Sequence, residues 1–200
     1  MDYSKIEEGK VKLSLSLVDV RSLLNNIAGL FRLSAQMSDV HLSTSIDSAL
    51  PAALMLDENR LRQILNNLIS NAIKFSHGGV VNVFVGHEDG ANGALLIEVR
   101  DSGRGVDEEM ENRLFKPYEQ HRAAVMGAGL GLAICRGLVD LMHGQIGYRR
   151  TPGGGATFWV RIPAKTSAQS YILDQRTELE TEQRTGLETE QRPDMKTIVA

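Results

Sequence analysis

Residues 57–75 read DENRLRQILNNLISNAIKF. Leu61, Ile64, Leu65, Leu68, Ile69, Ala72 and Ile73 recur there at i, i+3, i+4 and i+7 without a miss, the signature of a helix with one apolar face. Asp57 is a fair N-cap, so the spacing predicts a helix from Asp57 to about Phe75 whose stripe faces a sheet. At about 100° per residue, Asn67, Asn71 and Lys74 fall roughly 60 to 120° to one side of Leu68. They form a polar ridge along the edge of the buried face, and such a ridge can line a cleft. Asn71 offers an uncharged carbonyl oxygen, a hard ligand suited to Mg²⁺ already held by phosphates, and Lys74 offers a point charge for those phosphates. Polar boundary residues on an ordinary amphipathic helix look the same, so this helix alone leaves both readings open.

Outward from this helix the periodicity alternates between two and 3.6. Val11, Leu13, Leu15 and Leu17 alternate as in a strand, and Val20, Leu23, Leu24, Ile27 and Phe31 then follow helical spacing behind a cap at Asp19. Val40, Leu42, Thr44 and Ile46 alternate again, and Pro51 to Leu56 suits an edge strand. Downstream, Val80 to Val85 and Ala94 to Arg100 are β-rich runs flanking a hairpin loop at residues 87–93. A short helix from Asp107 to Phe115, a polar loop, a helix from about Leu130 to Met142 and a hairpin around Thr151 to Gly155 complete the pattern. Strands bunched in hairpins with helices between them predict an α+β fold: a two-layer sandwich, one mixed sheet with helices on one face.

Composition bounds the function classes. The 200 residues are 42% hydrophobic, 24% charged and 5% aromatic, enough for one sizeable core. A net charge of −3 gives no bulk attraction for nucleic acid or anionic lipid, so neither is expected as a partner. The single Cys135 and five scattered histidines provide neither an internal disulfide nor zinc spacing, pointing to a reducing compartment. No run approaches the ~18 to 20 apolar residues of a membrane helix and residues 1–10 hold no apolar signal region, so a cytoplasmic segment without direct membrane contact is expected. Residues 166–200 hold seven acids and four bases and repeat LETEQR at 179–184 and 187–192. With almost no large apolar side chains, residues 165–200 are expected to form a polar, disordered tail, leaving the folded domain at 11–164.

Two glycine-rich turns carry the remaining chemistry. Asp101-Ser102-Gly103-Arg104-Gly105 follows an apolar strand directly, where glycines let backbone approach a flat ligand and a carboxylate can accept from the exocyclic amine of adenine. Gly127-Ala128-Gly129-Leu130-Gly131 opens a helix, where free N–H groups and the helix dipole favour phosphate. It is no Rossmann fingerprint, because residue 132 is Leu and a polar loop precedes it; no G-x-x-x-x-G-K-S/T occurs anywhere.

Taken in order, these elements resemble the ATP-binding domain of sensor histidine kinases, hybrid ones included, within the GHKL superfamily that also holds the gyrase, Hsp90 and MutL ATPases. Leu65 to Phe75 is similar to the family's N box and Asp101 to Gly105 to its first glycine box. Leu114 to Gln120 is similar to the F box, Gly127 to Leu132 to the second glycine box, and Gly153 to Phe158 to the last. Five motifs in order are specific where each alone is weak. Residues 1–10 resemble the end of the second helix of the family's dimerisation and phosphoacceptor domain. The resemblance implies a Bergerat-type fold with an ATP cleft between the N-box helix and a lid from about Lys116 to Ala128. It further implies that Asn71 binds Mg²⁺, that Asn67 and Lys74 act catalytically at the phosphates, and that Asp101 reads the adenine amino group. Gly103, Gly105, Gly127, Gly129, Leu130 and Gly131 would approach the nucleotide through their backbone, Phe115 would order the lid, Thr157 would back the adenine contact, and Arg122 is a γ-phosphate candidate.

The resemblance implies partners as well: a His-bearing dimerisation domain and a response-regulator receiver domain. Hydrolytic members are expected to carry a Glu at position 67, and an amide cannot act as a general base, so Asn67 favours transfer over hydrolysis. His41, His77, His87, His121 and His143 all lack an H-E/D-x-x-x-P-like setting, so the chain reads as a catalytic part without its acceptor, binding ATP but not phosphorylating itself. Met126, Ala128 and His143 depart from the family pattern. They keep a second class open, a nucleotide-binding or protein-interaction module without catalysis.

Overall fold

The computed structural model describes residues 11–90, 93–117 and 130–166. In chain order the elements are β1 (Ser16–Val18), α1 (Val20–Met37), β2 (His41–Ile46), β3 (Leu54–Leu56), α2 (Glu58–Phe75), β4 (Val80–Glu88), β5 (Ala94–Asp101), α3 (Glu108–Glu111), α4 (Gly131–Leu141), β6 (Gln145–Arg150) and β7 (Ala156–Pro163). β2, β4, β5, β7 and β6 form a five-stranded sheet in that order, with β2 parallel to β4 and the other neighbours antiparallel. The sheet is mixed, as the alternation of hairpins and helices implies.

Register puts the apolar residues of successive strands on one face. Val83 lies opposite Val99, Val85 opposite Ile97, and Ile97 opposite Val160, all fully buried. Against that face pack Leu24 and Ile27 of α1, Leu61, Leu65, Leu68 and Ile69 of α2, and Cys135 and Leu138 of α4. This is the two-layer sandwich, with α2 contributing the stripe that opened the sequence reading. Each fully buried Leu or Ile stabilises the fold by about 1.5–3 kcal/mol.

The caps form where the sequence places them. Asp19 accepts from the Ser22 N–H at 2.9 Å, and Asp57 from the Arg60 N–H at 3.0 Å. The other oxygen of Asp57 accepts from the Ser14 N–H at 2.8 Å, tying the incoming chain to the start of α2. The strand expected over Val11 to Leu17 is shorter, Ser16–Val18, because its partner β3 offers only Leu54, Met55 and Leu56. The other edge of β3 is also taken: Met55 N–H donates to Lys165 at 2.9 Å and Leu54 bridges Thr166. Backbone pairing with β3 therefore includes Lys165 and Thr166, just past Ala164. The segments expected to be a dimerisation-helix remnant (1–10) and a tail lie outside the described residues, apart from Lys165 and Thr166.

The helix expected from Asp107 to Phe115 is a single turn, Glu108–Glu111. Asp107 makes no side-chain capping bond and the turn buries no residue, so it has neither a cap nor packing to prolong it. His143, just past α4, has φ 56. This is the left-handed position that usually ends a helix with Gly, so His143 holds a conformation that favours glycine.

Candidate functional site

The polar ridge of α2 meets the start of α4. Asn67 Nδ2 donates to the Gly131 carbonyl at 3.4 Å, and a Cβ added to Gly131 would lie 3.7 Å from Asn67 Oδ1 and 3.8 Å from Asn71 Nδ2. Two half-buried amides thus sit under the first residue of α4. Leu130, at the N-cap, supplies no side-chain hydrogen bond, and the first turn holds no acid. Among the described residues nothing caps the early N–H groups of α4, and its positive dipole end favours an anion beside Asn67 and Asn71. One turn further, Cys135 donates weakly to the Ile64 carbonyl at 3.9 Å; burial pushes its thiol up to about 12, with the Asn67 amide pulling the other way.

The other end of α2 carries the second glycine-rich turn. A Cβ on Gly103 would collide with the Phe75 carbonyl, so only glycine lets residues 101–105 cross the last residue of the helix. Ser102 anchors the crossing: its N–H donates to the Val80 carbonyl at 3.0 Å and its hydroxyl accepts from the Val80 N–H at 2.8 Å. Asp101 is only 4% exposed. Its Oδ1 accepts from the Gly103 N–H at 2.9 Å and the Ala156 N–H at 3.1 Å, while Oδ2 takes neither bond. Burial raises the Asp101 carboxyl above its ordinary range, opposed by those two N–H groups and then by the Ser76 hydroxyl.

Asp101 is also held from β7. Gly155 has φ 95, and a side chain there would run into the Asp101 carbonyl. The Ala156 N–H can therefore reach the carboxylate only because glycine precedes it. Thr157, next along and 2% exposed, shares a 2.8 Å hydrogen bond with the Thr151 hydroxyl across the β6–β7 turn. A Cβ on Gly105, at φ 73, would lie 3.1 Å from the Gly155 carbonyl, so the two glycine turns lie against each other.

Phe115 anchors the start of the expected lid. Its ring meets Phe158 edge-on at 6.5 Å, and the Arg136 guanidinium of α4 stands 5.8 Å above it. Lys74 is exposed, with Nζ 5.1 Å from the Phe75 ring centre; Arg104 approaches the same ring at 5.7 Å. Gly127, Gly129 and Arg122, with most of the lid, Met126 and Ala128, lie outside the described residues.

Among the described residues no group of three or more His, Cys, Asp or Glu side chains could hold a metal ion. The donors that do converge, Asn67 and Asn71, are neutral amides at a helix N-terminus. That set fits a hard cation carried in by phosphate oxygens rather than one caged by the protein. Sequence reasoning missed Ser76, a buried serine at the end of α2, and the direct support of Asp101 by the Ala156 N–H. The first has no sequence signal beyond its place after Phe75; the second was foreshadowed by Gly153-Gly154-Gly155, a run that bends where ordinary residues cannot.

One helix thus joins the start of α4 to a carboxylate-bearing glycine turn across an α+β sandwich. Over residues 56–166 the chain matches the family of histidine kinase-, DNA gyrase B- and HSP90-like ATPases, and it belongs to that family. It is 34% identical over 182 residues to the sensor protein EvgS of Escherichia coli (strain K12), covering 89% of this chain and 15% of that protein. To the signal transduction histidine-protein kinase BarA of the same organism it is 36% identical over 168 residues, covering 81% and 18%. The chain thus spans less than a fifth of the length of these relatives. Full-length ShkA in complex with AMPPNP has a similar structure, with TM-score 0.72 at 34% identity over 82% of this chain and 34% of that one. The catalytic domain of histidine kinase ThkA shares the fold, with TM-score 0.67 at 23% identity over 76% and 96%. Among the described residues no helix is long and apolar enough to cross a membrane.

Proposed function

We propose that this chain binds Mg-ATP and serves as the catalytic domain of a two-component histidine kinase, donating the γ-phosphoryl group to a histidine on a dimerisation domain. The observation that carries this reading is the double engagement of α2: Asn67 and Asn71 lie against the start of α4, and Phe75 lies under the Asp101–Gly105 turn. About 1.5 Å of rise per residue separates the two engagements by ~6 to 12 Å, the scale of a nucleotide. Asp101 accepts from the adenine amine, with Thr157 behind it, and Gly103 and Gly105 let backbone approach the base. The N–H groups from Leu130 and Gly131 onward receive phosphate, together with Gly127 and Gly129. Phe115 fixes the root of the lid.

Asn71 is the metal ligand in this reading, and Mg²⁺, when bound, neutralises charge on the phosphates. Asn67 and Lys74 orient the phosphate chain. An incoming imidazole nitrogen attacks the γ-phosphorus, a P–N bond forms as the P–O bond to the β-phosphate breaks, and ADP leaves with the electron pair. Catalysis of this kind rests on positioning and charge rather than on a protein base, consistent with an amide at position 67. The dimerisation domain and a receiver domain are the protein partners, and the work is done on the cytoplasmic side, where ATP is supplied.

A thermal-unfolding titration with ADP, with and without Mg²⁺, tests the binding step. Nucleotide at ~100 times its dissociation constant should stabilise the fold by ~2.7 kcal/mol, with the larger shift when Mg²⁺ is present. No shift at millimolar nucleotide would leave a protein-interaction module without catalysis. Transfer is checked by adding a dimerisation domain bearing the acceptor histidine and assaying acid-labile phosphohistidine.

A further inference from the structure

Ser76 is the C-cap residue of α2 and is 1% exposed. Its Oγ makes no hydrogen bond of acceptable distance and angle, an unusual condition for a buried hydroxyl. The surrounding backbone fixes what it stands beside. Gly79 N–H donates to the Ser76 carbonyl at 2.7 Å, and a Cβ on Gly79 would lie 2.5 Å from the Ser102 hydroxyl. Gly103 is wedged between the Phe75 carbonyl and Asp101, its added Cβ lying 3.1 Å from Asp101 Oδ1. Ser76 therefore adjoins the Asp101 turn on the side of α2. Its hydroxyl is one of the three groups that draw the buried Asp101 carboxyl back down against desolvation. Gly103, packed against both the Phe75 carbonyl and Asp101 Oδ1, brings the turn beside Ser76, and rotation of a hydroxyl about its side-chain bonds leaves the backbone unmoved.

We propose that Ser76 is a positioning residue for the base-reading site: its hydroxyl turns to donate to Asp101, keeps that carboxylate an acceptor, and so makes the site selective for adenine over guanine. The proposal rests on the reading of Asp101 given above. At the exocyclic position adenine presents an N–H donor and guanine a carbonyl oxygen. An ionised carboxylate matches the first and repels the second; a protonated carboxyl can donate and accommodates guanine. Oδ1 is already committed to the Gly103 and Ala156 N–H groups, so a third donor helps hold the charge on the pair of oxygens. The charged and titratable groups nearby are Arg104 in the same turn, Lys74 at the end of α2, both over the Phe75 ring, and Tyr148 of β6, whose phenol is raised first by burial and then by Glu111 and Asp101. Burial raises the Asp101 carboxyl, and the Gly103 and Ala156 N–H groups and then the Ser76 hydroxyl oppose that rise.

The test measures ADP and GDP affinity by calorimetry from pH ~5 to ~8 for the parent, Ser76→Ala, Ser76→Thr and Asp101→Asn. Ser76→Ala is expected to bind ADP about 10-fold more weakly, to lose ADP at a higher pH than the parent, and to narrow the ADP-to-GDP ratio. Ser76→Thr, which keeps the hydroxyl, restores all three. An equal loss for both nucleotides with an unmoved acid limb would mean a structural role only and overturns the proposal, as would a Ser76→Ala variant indistinguishable from the parent. In both cases a defective Asp101→Asn leaves the reading of Asp101 standing. If the parent binds no ADP, or Asp101→Asn binds it like the parent, the base-reader assignment itself fails and the proposal with it.

Discussion

At Asp101 stability and use pull in opposite directions. Burial raises its carboxyl pKa, so the folded chain holds that proton more tightly than the unfolded chain does. Its contribution to stability is fully present below the ordinary value of 3.8 and is lost as pH rises through the folded value. Asp101→Asn escapes this loss, so its stability relative to the parent should grow as pH rises from acid to neutral, measured by urea unfolding at several pH values. Binding should move the other way. In the proposed reading of Asp101, the Asn carbonyl is claimed by the Gly103 and Ala156 N–H groups, which would turn its NH₂ toward the adenine amine, donor against donor. ADP affinity should fall roughly 10- to 100-fold. The position of Asp101 in a glycine turn at a strand end was legible, because a carboxylate after an apolar strand and before Gly103 and Gly105 is a recognisable combination. Ser76 was not, because a serine at a helix end is ordinary until its burial is known.

Among the elements, those with a cap and a long apolar period were legible nearly to the residue. Asp19 and Asp57 mark the starts of α1 and α2, and the end of α2 falls at Phe75 as its stripe implies. Elements that depend on a distant partner were misjudged in length. The alternation of Val11 to Leu17 is real, yet only Ser16–Val18 find ladder partners, and Leu15 and Leu17 remain 59% and 54% exposed. The end of α4 yields a prediction. His143 N–H donates to the Asp140 carbonyl and Gly144 N–H to Val139 at 2.8 Å, closing the helix around a left-handed histidine. Relief of that conformation by His143→Gly should raise unfolding free energy by about 1 kcal/mol without changing ADP affinity. Chemical denaturation and the nucleotide titration check the two halves.

For the whole molecule, the class of fold was readable from hairpins alternating with helices, but the strand order was not. Nothing local shows that β2 runs parallel beside β4 or that β7 inserts between β5 and β6, because those pairings join residues far apart in the chain. The same is true of the fixing of Ala164, Lys165 and Thr166. Ala164 N–H donates to Gly93 at 3.3 Å, its carbonyl faces His87 Nε2 at 3.1 Å, and Lys165 pairs with Met55. A chain cut after Pro163 should lose roughly 2–4 kcal/mol relative to one cut after Thr166, about 1 per hydrogen bond plus the burial of Ala164. Equal midpoints for the two truncations in urea would show that these contacts hold nothing.

β3 has a geometric consequence of its own. With Ser16–Val18 along one edge and Lys165–Thr166 along the other, the two segments that flank β3 stand two inter-strand spacings apart, ~10 Å. The incoming chain enters at the Asp57 end of β3 while Thr166 lies at its Leu54 end, and α2 carries the chain ~27 Å away to the Asp101 turn. A handful of residues would join Ser16 to Thr166, so the lobe suits circular permutation or transplantation into a surface loop of another protein, both seams remaining distant from the Asp101 turn.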